Sequence, residues 1–505
     1  IFFLKRQKNM TPSSPRISKS QYLRGLQCPK ALWYYRHRPD LAPETSPAQQ
    51  ALFDAGHEVG ALARQYFKTG IEITEDYLAT DKAITSTQKA VADGHSHIFE
   101  ATAAAPDGAF SKIDILKKVG KSDAWDLVEV KMSTGVKDYH VDDMALQRHA
   151  FTGAGYNIRK SILMHINSNY IRSGNLDLAA LFTLADCTQE VTARLTGVAG
   201  NVDRLLAVIQ RDKEPDIPTG DHCFSPFECD YTAHCWPERP ARSVYELFPS
   251  GPKLEALLAR DITLISEIPD DFNITNRQQV VVRACKTGRV QIDLPKIQKL
   301  LQSLQYPLYF LDYETVTHAV PLFDRTRPYQ QIPFQFSLHI QNEKNGPVTH
   351  VEFLSTEKTD PRPAFIEKLI AHCGAKGSVI VYNKAFEKRI NDELGRDFPL
   401  FKKALNRIST RMVDLLVSFR SRHLYHPDMN GSASLKSVLP AFIPHMRYDT
   451  LEIADGNTAA QLYLSCLKDA LPAAEQKKVF DNLRTYCGHD TLAEVKLVEV
   501  MYGLV

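Results

Sequence analysis

The chain has 505 residues, too many for one ordinary core, so two or three domains are expected. Its composition, 44% hydrophobic and 24% charged, is that of a globular chain, and no stretch approaches the roughly 18 apolar residues of a membrane span. A net charge of +2 excludes a global basic footprint, so any nucleic-acid contact must come from local clusters.

Residues 1–17 read as a disordered leader. Its apolar run, Ile1 to Leu4, is too short for a secretory signal, and Met10 is the expected start. The expected location is therefore the cytoplasm, where the nine cysteines should remain thiols.

Residues 18–240 form the first expected domain. A helix-like stretch from Ser20 to Pro29 opens it. A second helix runs from Gln49 to Phe67, with Leu52, Ala55, Val59, Leu62 and Tyr66 in a 3.6-residue rhythm. Strand-like runs follow at His97–Ala101, Ala109–Leu116 and Trp125–Lys131, then a helix from Asp142 to Thr152 and a strand near Ser161–Ile166. That order predicts an α/β or α+β fold. Alternation puts Glu129 and Lys131 on one face of their strand, where Asp114 of the neighbouring strand can meet them. Two carboxylates suit Mg²⁺ or Mn²⁺, and a lysine beside them can polarise water and stabilise charge on phosphate. Gln147 lies on the following helix. The plainer alternative is a hairpin with exposed charges.

The domain closes on three evenly spaced cysteines, Cys223, Cys229 and Cys235. A four-thiolate site needs one more ligand, and Cys28 supplies it if the two ends of the domain meet. Zinc and a [4Fe–4S] cluster both fit this set, and His222 and His234 keep zinc open. Near Cys28, the run Lys30, Trp33, Tyr34, Tyr35, Arg36, His37 and Arg38 offers cations for phosphates and rings for unpaired bases. The aromatics are expected to pack against the cysteine cluster instead.

Residues 241–300 read as a small helical linker, with Leu254, Leu257 and Leu258 in a helix and Ile262, Leu264, Ile265 and Ile268 in a turn. Residues 301–505 form the second expected domain. Strands are predicted at Pro307–Tyr313, Phe334–Ile340 and Ser378–Tyr382, and helices at Ala459–Asp469 and Thr491–Met501. Asp312 and Glu314 share a face at the end of the first strand. Glu387 follows the third strand, and Asp490 is expected to open the last helix. Acids at the ends of apolar strands are costly unless they bind something. Four together would suit a two-metal phosphodiester site, whereas singly each could cap a helix or end a strand. Arg325, Arg327 and Tyr329 form a loop that could hold a strand end.

Cys28-Pro29, Gly56-His57-Glu58, Asp114, Glu129-Val130-Lys131, Gln147 and the cysteine trio together resemble the RecB-type PD-(D/E)xK nucleases. The likeness is to their iron–sulfur branch, which includes CRISPR-associated exonucleases and the AddB subunit. The resemblance implies metal ligation by Asp114 and Glu129, catalysis by Lys131, support from Gln147 and a first-helix ligand at His57 or Glu58. It also implies a structural [4Fe–4S] cluster on Cys28, Cys223, Cys229 and Cys235. In residues 301–505 the motif order resembles the DEDD 3′–5′ exonucleases of the RNase H-like fold. That implies two metals on Asp312, Glu314, Glu387 and Asp490, with Tyr486 orienting the attacking water. The second motif departs from its usual Asp: here it is Glu387, one residue nearer Asn383, and Asp414 is the substitute candidate. The whole chain resembles an uncharacterised bacterial family that fuses the two modules.

The expected function is a metal-dependent nuclease hydrolysing DNA at ends or single strands, with DNA ahead of RNA as partner and no membrane. The alternatives are a nucleic-acid-binding scaffold with one lapsed site and an RNA-processing exonuclease.

Overall fold

Ser18 starts the first helix, Lys19–Gln27, with a capping box: its Oγ accepts from Gln21 N, and Gln21 Oε1 accepts from Ser18 N. The computed structural model describes residues 15–75, 79–236, 240–249 and 251–505. Most of the expected leader, including Met10, lies outside these residues. Its last part is a correction: Ile17 is fully buried, bridges to Ala109 and exchanges backbone hydrogen bonds with Gly108 and Phe110.

The protein is a mixed α/β fold in two compact units. The first runs up to residue 236 and takes in Ala319–Pro321; the second holds the remaining described residues. Among the described residues no helix is long and apolar enough to cross a membrane.

In the first unit six strands form one sheet in chain order: β1 (Ile71–Glu72), β2 (His97–Ala104), β3 (Phe110–Lys118), β4 (Ala124–Lys131), β5 (Asn157–Ile166) and β6 (Phe182–Asp186). β1–β2 and β4–β5 are parallel and the other pairs antiparallel. The helix Asp138–Gly153 crosses from β4 to β5, the short route that parallel neighbours require. Its apolar face (Val141, Met144, Ala145, Leu146) packs on the helix Thr188–Ile209. A second face, His140, Asp143 and Gln147, is buried though polar.

The second unit holds a five-stranded sheet and a two-residue ribbon. In chain order the strands are β7 (Gln291–Ile292), β8 (Leu308–Val316), β9 (Ile332–Gln341), β10 (Val348–Leu354), β11 (Ser378–Val381), β12 (Met412–Asp414) and β13 (Leu424–Tyr425). The sheet order is β10-β9-β8-β11-β12, with β10, β9 and β8 antiparallel and β8, β11 and β12 parallel. β8 sorts its residues by alternation. Tyr309, Leu311 and Tyr313 join one core with Phe365 and Ile390, while Leu308 and Phe310 join another with Val495 and Val498 of the long helix Ala473–Gly503. Burying a phenylalanine such as Phe310 stabilises by roughly 2–3 kcal/mol.

Two expectations need correction here. Residues 241–300 are no separate linker: Val244, Leu254, Leu257, Ile265, Val281 and Ile297 share a core with Leu308 and Phe310, and β7 pairs with β13 of the same unit. The last helix begins at Ala473, so Asp490 stands well inside it instead of opening it.

Candidate functional sites

In the first unit, Asp114 on β3 and Glu129 and Lys131 on β4 come together. Asp114 Oδ2 accepts the Val130 N–H at 2.6 Å. Lys131 Nζ donates to Glu129 Oε1 at 2.6 Å and to Asp143 Oδ2 at 3.0 Å. Gln147 Nε2 donates to Glu129 Oε2 at 2.7 Å. Two further members were not found from sequence, Asp143 and Lys19. Lys19 Nζ donates to Glu129 Oε1 at 2.7 Å and lies 3.8 Å from Asp143 Oδ2. The buried polar face of the helix Asp138–Gly153 explains Asp143 and Gln147: residues four apart share a helix face.

The charges do not balance within this group, which pairs three acids with two lysines. Burial, with repulsion from Glu129, pushes the Asp114 carboxyl up to about 7. Burial works to raise Glu129 as well, but Lys131 and Lys19 outweigh it and hold Glu129 below the ordinary range. Burial and the remaining repulsion leave Asp143 raised despite both lysines. Asp143 Oδ1 and Gln147 Oε1 are buried with no hydrogen-bond partner. A divalent cation would supply the missing positive charge and an acceptor for spare oxygens, so the donor set fits one. His57 is exposed and Glu58 half-buried on the helix Pro47–Tyr66.

A cavity of about 630 Å³ opens beside Asp114, lined by Lys19, Arg16, Tyr35, Arg36, Glu100 and Lys112 among others. Tyr35 is 44% exposed, with the Arg24 guanidinium 4.9 Å from its ring centroid. The neighbouring aromatics behave differently. Tyr34 is buried against Tyr231 and His234, and Trp33 donates to Arg211 O. Lys30 and Arg38 are paired with Glu214 and Asp40.

The four cysteines converge. Cys28 sits between the helices Lys19–Gln27 and Pro29–His37, and Gln27 Nε2 bonds His222 O at 2.8 Å and Phe227 O at 2.6 Å, tying that junction to the trio's loop. Cys28, Cys223, Cys229 and Cys235 line one small cavity of about 20 Å³. Burial, with the other thiols close by, raises Cys229 and Cys235. Among the described residues, no three of these sulfurs lie within 4.8 Å of one another. Four converging thiols of this kind fit either a zinc ion or a four-iron cluster.

In the second unit the acids gather at the carboxyl ends of the parallel strands β8, β11 and β12, the usual place for ligands in an open α/β sheet. Asp312, Glu314 and Cys487 bring ligand atoms within 4.8 Å of one another. The Cys487 thiol donates to Asp312 Oδ2 at 3.6 Å. Asn383, at φ 127°, turns the chain from β11 into the helix Lys384–Asp397, which carries Glu387 on its first turn. Asp414 ends β12, is half-buried and accepts from Leu416 N at 3.0 Å. Tyr486, Asp490 and Glu494 recur every four residues on the long helix and so share one face. Asp490 Oδ1 accepts from the Tyr448 hydroxyl, and the Tyr486 phenol one turn earlier also favours the ionised carboxylate. Tyr448 and Glu494 are members that the sequence did not announce.

Burial dominates this group. It raises Asp312 well above the carboxylate range, helped by Asp490, Glu314 and Glu387. It raises Glu314, with repulsion from Asp490 outweighing the pull of Lys436. It lifts Glu387 to about 8, and lifts Asp490 to about 7 against the two phenols and Lys436. Glu387 Oε2 and Glu494 Oε2 are buried without a hydrogen-bond partner. Such a set fits divalent cations held by oxygen ligands. A cavity of about 430 Å³ reaches Glu314 past Lys436, Gln331 and Phe386. On the loop after β8, Arg325 and Tyr329 are exposed and Arg327 is half-buried.

Residues 309–434 match the model of a domain of unknown function, DUF2779, which takes in Asp312, Glu314, Glu387 and Asp414 but not Asp490. Over 253 residues the chain is 24% identical to the uncharacterised protein MG366 of Mycoplasma genitalium, covering 46% of this chain and 38% of that protein. Its homologue in Mycoplasma pneumoniae is 25% identical over 221 residues, 40% of this chain and 33% of that one. The uncharacterised protein UU173 of Ureaplasma parvum is 24% identical over 252 residues, 45% and 35% respectively. The chain thus spans well under half the length of the curated relatives it matches.

Proposed function

We propose that the protein is a metal-dependent nuclease with two carboxylate sites, one in each unit, acting on DNA ends or single strands. The observation that carries this reading is the surplus of buried acid in both units. Each cluster holds more carboxylate than its own cations and hydrogen bonds satisfy, with orphaned oxygens at Asp143, Glu387 and Glu494. The reading takes the first unit as PD-(D/E)xK-like and the second as RNase H-like. The mixed sheet with Asp114, Glu129 and Lys131 on adjacent strands supports the former. Acids at the carboxyl ends of β8 and β11 support the latter.

Bound Mg²⁺ or Mn²⁺ would neutralise phosphate charge and make water nucleophilic near neutral pH. In the first unit Asp114 and Glu129 would hold the ion. Gln147 and the two lysines orient Glu129, and Lys131 is near enough to meet charge developing on the phosphate. In the second unit Asp312, Glu314, Glu387 and Asp490 would be the ligands, and Tyr486 reaches Asp490 from one helical turn away. Hydrolysis adds water across one P–O bond and delivers a proton to the departing sugar oxygen. The cavity beside Asp114, with Arg16, Arg36, Lys112 and an exposed Tyr35, offers cations for phosphates and a ring for a base. The four cysteines would hold a [4Fe–4S] cluster, with zinc as the alternative. None of the cysteines is in a disulfide, which suits a reducing compartment, and we assign the protein to the cytoplasm.

The test is anaerobic purification, iron analysis and an assay on end-labelled single-stranded DNA with Mg²⁺ or Mn²⁺, beside Lys131→Ala and Asp312→Ala. Stepwise loss in the two variants is the expected result. Cleavage of RNA alone would move the reading to an RNA-processing enzyme. No cleavage of either would leave a binding scaffold.

A further inference from the structure

We propose that Glu494 is a divalent-cation ligand of the second acidic site, completing with Glu387 and Asp312 an oxygen set that the sequence motifs do not include. This deepens the reading of that site as metal-dependent and rests on it.

Three observations converge on Glu494. It follows Asp490 by one turn of the helix Ala473–Gly503, a rise of about 5.4 Å, so the two carboxylates lie side by side on the face turned toward β8. Its side chain is 1% exposed, yet the charges acting on it most strongly are Asp312, Glu387 and Asp490, all acids. Its Oε2 is buried with no hydrogen-bond partner, and so is Glu387 Oε2.

A carboxylate buried among carboxylates without a cation is among the costliest arrangements a core can carry. Two resolutions are chemically available. Either Glu494 is kept neutral as a spare core acid, or a cation joins it to its neighbours. The first leaves a hydroxyl with nothing to receive its proton at Oε2. The second uses both orphaned oxygens at once, Oε2 of Glu494 and Oε2 of Glu387.

The experiment is Mn²⁺ binding to the full chain, read by electron paramagnetic resonance of free Mn²⁺ and by the thermal midpoint with and without Mn²⁺. The proteins are the parent, Glu494→Gln, Glu494→Asp and Asp312→Asn. Glu494→Gln keeps shape and neutral hydrogen bonding, so it should fold and be as stable as the parent in EDTA. It should bind one Mn²⁺ fewer, or bind one at least about tenfold more weakly, and lose much of the Mn²⁺-induced stabilisation. Glu494→Asp, with its carboxylate withdrawn by one methylene, should fall between them. Parent-like Mn²⁺ binding in Glu494→Gln and Glu494→Asp, with binding lost in Asp312→Asn, overturns the proposal and leaves the metal reading of the site intact. Equal binding by all four proteins overturns both.

Discussion

Lys19 Nζ sits 2.7 Å from Glu129 Oε1, sharing that one oxygen with Lys131 Nζ at 2.6 Å. A single carboxylate oxygen thus accepts from two ammonium groups, one of them delivered from the first residue of a capped helix far upstream. The first acidic site is consequently not complete within the β3–β4 hairpin; it needs the N-terminal helix docked upon it.

Replacing Lys19 by methionine is expected to destabilise the first unit by about 3 kcal/mol in EDTA, because Glu129 and Asp143 keep their burial and lose a cation. Mg²⁺ should restore part of that loss. Lys19→Arg should be nearer the parent. Urea midpoints with and without Mg²⁺ decide the matter, and an unchanged midpoint in EDTA would show that Lys131 alone balances the acids.

Alternation along β4 was enough to pair Glu129 with Lys131, and the same rule found Asp312 and Glu314 on β8. Lys19 and Asp143 escaped because nothing in a local window marks a lysine or an aspartate as buried. Asp143 lies on a helix whose buried face mixes His140 and Gln147 with Val141 and Met144, so its polarity reads as solvent exposure. Asp490 reads in sequence as a helix start, a position that favours Asp, and Gly488 stands just before it. An interior glycine costs about 1 kcal/mol, which the packing of Leu483, Cys487 and Val495 offsets, so the helix runs through. Glu494 is hidden in sequence for the same reason as Asp143: no local window marks it as buried. The residues 241–300 seemed a linker because their apolar groups come in short runs whose partners, Leu308 and Phe310, are distant in sequence.

The apoprotein should lose stability as pH rises. Burial holds Asp114 and Asp490 near 7 and Glu387 near 8, so the folded chain binds protons that the unfolded chain releases at ordinary carboxylate pH. The contribution of these groups is then fully present only below about pH 4 and falls away through pH 8. Glu129, held below its ordinary range, acts in the other direction but only in more acidic solution. Between pH 5.5 and 8.5 the loss in EDTA should be on the order of several kcal/mol, and Mn²⁺ should flatten it. Asp114→Asn and Glu387→Gln should each reduce the slope. Denaturation midpoints that rise over this range would contradict the assignment.

Cys28 is expected to matter for folding as well as for the cluster. Its sulfur would join a helix junction near the domain's start to a loop near its end, closing a long loop through metal binding. Cys28→Ala should lower bound iron to near zero and lower the thermal midpoint of the first unit, while leaving Mn²⁺ binding in the second unchanged. Full iron retention in Cys28→Ala would move the fourth ligand elsewhere, with His222, 3.8 Å from Cys223 Sγ, the first alternative.

Tyr448 and Tyr486 both act on the Asp490 carboxyl, yet their expected roles differ. Tyr448 comes from outside the helix and grips one carboxylate oxygen; Tyr486 lies one turn before Asp490 on the same helix. If both merely position the acid, Tyr448→Phe and Tyr486→Phe should raise the Asp490 carboxyl alike and weaken Mn²⁺ binding to similar degrees. If Tyr486 also orients the attacking water, Tyr486→Phe alone should lower kcat, by about 10²-fold, at saturating Mn²⁺ and with KM unchanged. The comparison separates the two roles because metal affinity reports the grip on Asp490, whereas kcat at full metal occupancy reports what remains to be done to the water.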